Sequence, residues 1–179
     1  ADLDMALAFE PPHLSIYHLT IEPNTAFASA PPQDLPDADS ASEMLDRIVA
    51  RTASAGLMRY EVSAFARGRH RCVHNLNYWQ FGDYLGIGAG AHGKLSFPDR
   101  IVREVRWREP TMYVDKALTG NAVSNRHDVP ADALAFEFML NALRLAEGFD
   151  LSRYAERTGQ SVATIDATGQ RAPYSPKWA

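Results

Sequence analysis

Residues 71–93, RCVHNLNYWQFGDYLGIGAGAHG, concentrate the side chains able to do chemistry. Within nine positions stand Cys72, His74, Asn75, Asn77, Tyr78 and Trp79, and the last eight positions hold four glycines and His92. His70, Cys72 and His74 recur at a spacing of two, so an extended segment would point them the same way, and zinc accepts nitrogen and sulfur ligands. A fourth ligand is missing, because no downstream CxxC or HxxxH follows. A nucleophilic Cys72 with a histidine base is a second reading, although neighbouring arginines and histidines alone do not establish that pairing. A third is a loop histidine whose ring is satisfied by a nearby carbonyl.

A fourth reading is a flat, metal-bearing ligand such as heme, whose iron takes an axial histidine nitrogen between aromatic and aliphatic walls. His74 would supply the nitrogen, and Tyr78 and Trp79, four and five positions on, a wall. Ordinary core packing is the competing fate of those two rings. Asn75 and Asn77 suit side-chain-to-backbone bonds that hold a turn. GIGAGAHG has only a lone Gly-x-Gly pattern, without the preceding strand, following helix and later acidic residue of a dinucleotide loop. Its glycines at 86, 88, 90 and 93 require a turn or a close backbone approach, to a ligand or to the chain itself.

The elements that position these residues follow from periodicity. Residues 2–9 read as the end of a helix stopped by Pro11 and Pro12. HLSIYHLTIE (13–22) and RYEVSAFA (59–66) read as strands. Between them DSASEMLDRIVARTASAG reads as a helix, with Ser40 and Glu43 as a capping box, Leu45, Ile48, Val49 and Thr52 on one face, and Gly56 at the end. Strand, helix and strand predict a βαβ unit with a parallel sheet, whose strand ends would open the loops after 22 and 66 on one face. RIVREVRW (100–107) predicts an exposed strand, and EPTMYVDKALTG a helix. PADALAFEFMLNALRLAEG (130–148) predicts an amphipathic helix burying Leu134, Phe138, Leu140, Leu143 and Leu145. Two short helices around Gly159 follow, and the last fourteen residues show no periodicity.

The 179 residues allow one domain or one and part of another. A net charge of -4 argues against a nucleic-acid partner, and no run of 18 apolar residues predicts a membrane span. A single cysteine excludes an internal disulfide and fits a reducing cytoplasm. Because the sequence opens inside a helical pattern, it reads as a piece of a longer protein.

Three segments, FEPPHLSIYHLTIEPNTAF, YEVSAFARGRHRCVHNLNYW and FGDYLGIGAGAHGK, resemble the HemW family of radical-SAM heme chaperones, relatives of the oxygen-independent coproporphyrinogen III oxidases. The resemblance runs from residue 6 to about residue 165. It implies an α/β fold: residues 1–95 as the second half of a partial (β/α)6 radical-SAM barrel, and 96–179 as an α+β C-terminal domain, incomplete after about 165. It implies a heme site in the family's HNxxYW motif, here His74, Asn75, Tyr78 and Trp79, with His74 the candidate ligand of the heme iron and Cys72 a less favoured one. S-adenosyl-L-methionine (SAM) and a [4Fe–4S] cluster would serve the full-length protein, with Thr20 and His92 at the SAM rim. The three CxxxCxxC cysteines of that cluster are absent from this chain. The implied activity is delivery of heme to respiratory proteins, some of them membrane-associated; the alternative is an oxidative decarboxylase of coproporphyrinogen III. The tail resembles a truncated or frameshifted end, since the family continues there into a helix and wing-like strands.

Overall fold

The computed structural model describes residues 2–168, and the expected irregular tail lies for the most part outside them. The chain forms two compact units that divide between Cys72 and Val73.

The first unit runs α1 (Asp2–Ala8), β1 (His13–Ser15), α2 (Ala26–Ser29), α3 (Ala38–Ser54), β2 (Met58–Glu61) and β3 (Ala64–Ala66). As expected, α1 stops before Pro11 and Pro12, which cannot donate to a helix. The long helix α3 also forms, with a different cap. Asp37, not Ser40, is the N-cap, and its carboxylate accepts from the Ser40 amide at 2.8 Å. That bond holds the Asp37 carboxyl below its usual range. Ile48 and Val49 of α3 pack with buried Leu7, Leu57 and Phe65 to form the core of this unit.

The strands depart from expectation. The segment 59–66 is two strands, since β2 and β3 form a hairpin whose register shifts between Arg59 and Glu61. The Arg59 guanidinium donates to the carbonyls of Glu61 and Val62, which bends the chain at that point. The sheet order is β1-β3-β2, with both outer strands antiparallel to β3. Strands β1 and β2 therefore run the same way, as a βαβ unit requires, but β3 lies between them and no parallel pair forms. The first strand ends at Ser15 instead of residue 22: its three residues pair with the three of β3, and the Ile16 amide then bonds the Ser63 carbonyl at 2.8 Å.

The second unit runs α4 (Val73–Trp79), β4 (His92–Ser96), β5 (Ile101–Arg106), α5 (Pro110–Leu118), β6 (Val123–Asp128), α6 (Leu134–Ala142), α7 (Leu151–Thr158) and α8 (Ala163–Thr168). Its antiparallel sheet has the order β4-β5-β6. Strand β5 is central rather than exposed: Ile101 and Val102 are buried, and its charges are paired across the sheet and to α6. Helix α5 starts at Pro110 behind Glu109, whose carboxylate caps the amides of Thr111 and Met112. Helix α6 is shorter than expected, since Asn141 and Arg144 take the carbonyls of Glu137 and Leu140 with their side chains at its end. Leu134 and Phe138 are buried as expected, but Leu140 and Leu143 are exposed, and Ala135 and Ala142 fill the inner face instead. Phe138 meets the rings of Phe81, Phe149 and Tyr154 edge-on at 5.1–5.6 Å. Asp150 caps α7, Gly159 ends it in the left-handed region, and α8 follows as expected.

Candidate functional site

HNLNYW is helical, not a loop: it occupies six of the seven residues of α4. Helical spacing puts His74 and Tyr78 on one stripe, and their rings lie 5.9 Å apart. His74 is exposed, and its imidazole makes no hydrogen bond to a described residue. Tyr78 also meets Trp79 edge-on at 5.7 Å and stacks on Tyr84 at 4.4 Å. Asn77 reaches forward, donating from Nδ2 to the Asp83 carbonyl at 2.9 Å, whereas Asn75 makes no hydrogen bond to a described residue.

A second layer holds the aromatic pair. The Tyr78 hydroxyl donates to the Tyr84 oxygen at 2.8 Å, and Arg103 donates to the same oxygen at 2.9 Å. Burial, and then the Tyr78 hydroxyl beside it, push the Tyr84 phenol well above its ordinary range. Arg103 also donates to Glu137 at 2.8 and 3.2 Å. Glu137 is only 2% exposed, and this guanidinium neutralises it.

These groups line a cavity of about 370 Å³. Tyr78, Trp79 and Tyr84 form one wall, Val105 and Leu140 add aliphatic surface, and Arg103, Arg144, His92 and His127 bring nitrogen donors. Arg144 lies over the Trp79 ring, its Cζ 4.9 Å from the centroid. The Trp79 indole N–H is buried without a hydrogen-bond acceptor among the described residues, a costly state for a donor.

The turn from α4 into β4 is held from beneath by Lys94, which is 1% exposed. Its Nζ donates to the Phe81 carbonyl, Asp83 Oδ1 and Ser96 Oγ at 2.9–3.0 Å, three acceptors for the three donors of an ammonium. Burial lowers the Lys94 pKa against the pull of Asp83. Burial would raise the Asp83 carboxyl, but hydrogen bonds from Lys94 and Ser96 outweigh it and lower its pKa. The glycines serve close approach of the chain to itself. A Cβ on Gly86 would lie 2.4 Å from the His92 carbonyl oxygen, and one on Gly82 would lie 2.0 Å from Asn77 Oδ1.

Of the expected residues, Tyr78, Trp79 and His92 line the cavity together, and His74 stands one turn before Tyr78. Thr20 belongs to the first unit and is exposed. Cys72 is half-buried in that unit, where its backbone N–H donates to the Tyr60 hydroxyl. Among the described residues no three His, Cys, Asp or Glu side chains converge as a metal site. Sequence reading missed Tyr84, Arg103, Glu137 and Arg144. One signal was present, a lone glutamate inside the apolar run LAFEFML, because a buried carboxylate needs a cation.

The chain is similar to known proteins both in fold and in sequence. The description "HemN C-terminal domain" matches residues 129–172. Over 92% of this chain and 41% of the other, the structure superposes with a TM-score of 0.65 on the radical-SAM coproporphyrinogen III oxidase HemN from Escherichia coli. At 18% identity that likeness shows the fold alone. Proteins named heme chaperone HemW are similar in sequence. That of Escherichia coli K12 is 45% identical over 88% of this chain and 41% of its own length, and that of Haemophilus influenzae 42% identical over 92% and 42%. That of Bacillus subtilis is 31% identical over 89% and 42%. The chain is similar to these HemW proteins over most of its own length and spans about two fifths of theirs.

Proposed function

We propose that α4 is the heme-binding element of a heme chaperone, with the His74 imidazole as the group that would hold the heme iron. The observation that carries this reading is the placement of His74: exposed, without a hydrogen bond to a described residue, and in ring contact with Tyr78 beside an aromatic cavity. An imidazole nitrogen not committed elsewhere is what heme iron requires, and stacked aromatic rings suit the faces of a porphyrin. Tyr78 and Trp79 would wall the group, and Asn75, on the same helix, would help hold it. When bound, heme supplies an iron centre whose ligation is visible in the Soret band. The residues present fit that group.

The chaperone reading leads over an oxidase because relatives named HemW match at 31–45% identity, against 18% for the oxidase structure. Residues 1–95 would belong to the radical-SAM barrel and 96–179 to the C-terminal domain. A three-cysteine [4Fe–4S] site does not fit this chain, which has one cysteine, so the cluster would be held by the rest of the full-length protein. Delivery of heme to respiratory proteins, some of them membrane-associated, by a protein of the cytoplasm completes the reading. Among the described residues no helix is long and apolar enough to cross a membrane.

The test is a heme titration of the full-length protein and of its His74→Ala variant, followed at the Soret band. The variant should show a shifted Soret maximum and weaker binding. Unchanged ligation and affinity in the variant would remove His74 from the site.

A further inference from the structure

The cavity beside α4 holds two guanidinium groups and one carboxylate. Arg103 and Glu137 pair at 2.8 Å and cancel. Arg144 is left over: its Nε donates to the Leu140 carbonyl, and no carboxylate of the described residues pairs with it. Lying over the Trp79 ring, it is held in place by a cation–π contact, which leaves the terminal NH2 groups of the guanidinium available to a ligand. His92 and His127 add nitrogen donors to the same cavity. The wall opposite in character is the stacked Tyr78–Tyr84 pair with Val105 and Leu140. A cavity with an aromatic wall and one uncompensated cation selects a flat apolar molecule that carries an anionic edge.

We propose that this cavity is a carboxylate subsite, in which Arg144 grips an acidic side chain of a porphyrin while Tyr78 and Trp79 contact its ring. The assignment rests on the heme reading of α4 and extends it: His74 holds the metal, and Arg144 holds the acid. Arg103 does not serve as the clamp, because Glu137 cancels its charge and three of its five N–H donors are taken by Glu137 and the Tyr84 oxygen. Arg144 is thus a specificity residue that distinguishes a free porphyrin acid from its ester.

Metal-free protoporphyrin IX separates the two roles, since it has no iron for His74 to ligate. The full-length protein is titrated with protoporphyrin IX and with its dimethyl ester, each followed by porphyrin fluorescence. The free acid should bind about tenfold more tightly than the ester, as expected for a charge-assisted hydrogen bond. Arg144→Met should abolish that preference, Arg144→Lys should restore part of it, and His74→Ala should leave it intact. Equal affinity of the wild-type protein for acid and ester overturns the subsite without recourse to any variant. So does a preference that survives Arg144→Met, or an absence of porphyrin binding. If the preference persists while His74→Ala leaves heme ligation unchanged, the ligation reading alone falls.

Discussion

Replacing Asp83 with Asn tests whether the turn that carries Tyr84 hangs on one buried ion pair. Lys94 Nζ lies 2.9 Å from Asp83 Oδ1, with the lysine 1% and the aspartate 40% exposed. Removing one partner of a fully buried pair costs about 3–5 kcal/mol. The exposure of Asp83 and the two remaining acceptors of Lys94, the Phe81 carbonyl and Ser96 Oγ, reduce this to roughly 2–3 kcal/mol. The chain divides into two compact units, so hydrogen exchange at the β4 and β5 amides reads the local cost better than a global melt. A cycle with Lys94→Met should give a coupling of about 1.5 kcal/mol or more. The pH dependence has a fixed sign. Because the folded Asp83 pKa is lowered, its contribution is present above the unfolded carboxylate pKa and lost as pH falls through the folded value. Asp83→Asn should therefore flatten part of the acid limb of β4 protection. A coupling below about 0.5 kcal/mol with an unchanged acid limb would refute the claim that this pair holds the turn.

Two other substitutions probe the support of the site. Gly86→Ala sets a Cβ against the backbone of His92, which no rotamer change relieves, so it should destabilise the second unit by roughly 3 kcal/mol. Loss of exchange protection at Tyr84 and Lys94, whose backbones pair at 2.9 and 3.0 Å, would report it; full protection would contradict the close approach. Phe138→Ala empties a fully buried ring site and should cost about 3–5 kcal/mol, read as faster exchange in α6 and α7. A change under about 1 kcal/mol would place the core elsewhere.

What the sequence disclosed was local. Helices α3, α5 and α7 are bounded by Asp37, Glu109 and Asp150, Pro110 and Gly159, and their signals lie within a few residues of the ends they define. Strand extent is not local. Residues 13–22 carry a strand pattern throughout, yet only His13–Ser15 find a partner in β3. The turn at Val62 and Ser63 splits an apparently continuous strand because Arg59 bonds forward to it, a contact that alternation of side chains does not encode. Leu140 in α6 and Leu143 just after it show the same limit: apolar type suggested burial, and the small residues Ala135 and Ala142 took the inner face.

The candidate site divides along the same line. His74, Tyr78 and Trp79 were legible because their types and spacing are unusual within six residues of chain. The charges around them come from β5 and α6, which pairing and packing bring beside α4. Taken alone, Arg103 is one charge among several in RIVREVRW, and Glu137 one acid in an apolar helix. Together they neutralise each other, and that cancellation gives Arg144 its meaning. Had Glu137 faced Arg144 instead, the cavity would hold no uncompensated cation in contact with Trp79. In the proposed reading, the charge this cavity offers a ligand is thus set by which arginine the buried glutamate pairs with, a choice written in the packing of α6 against β5.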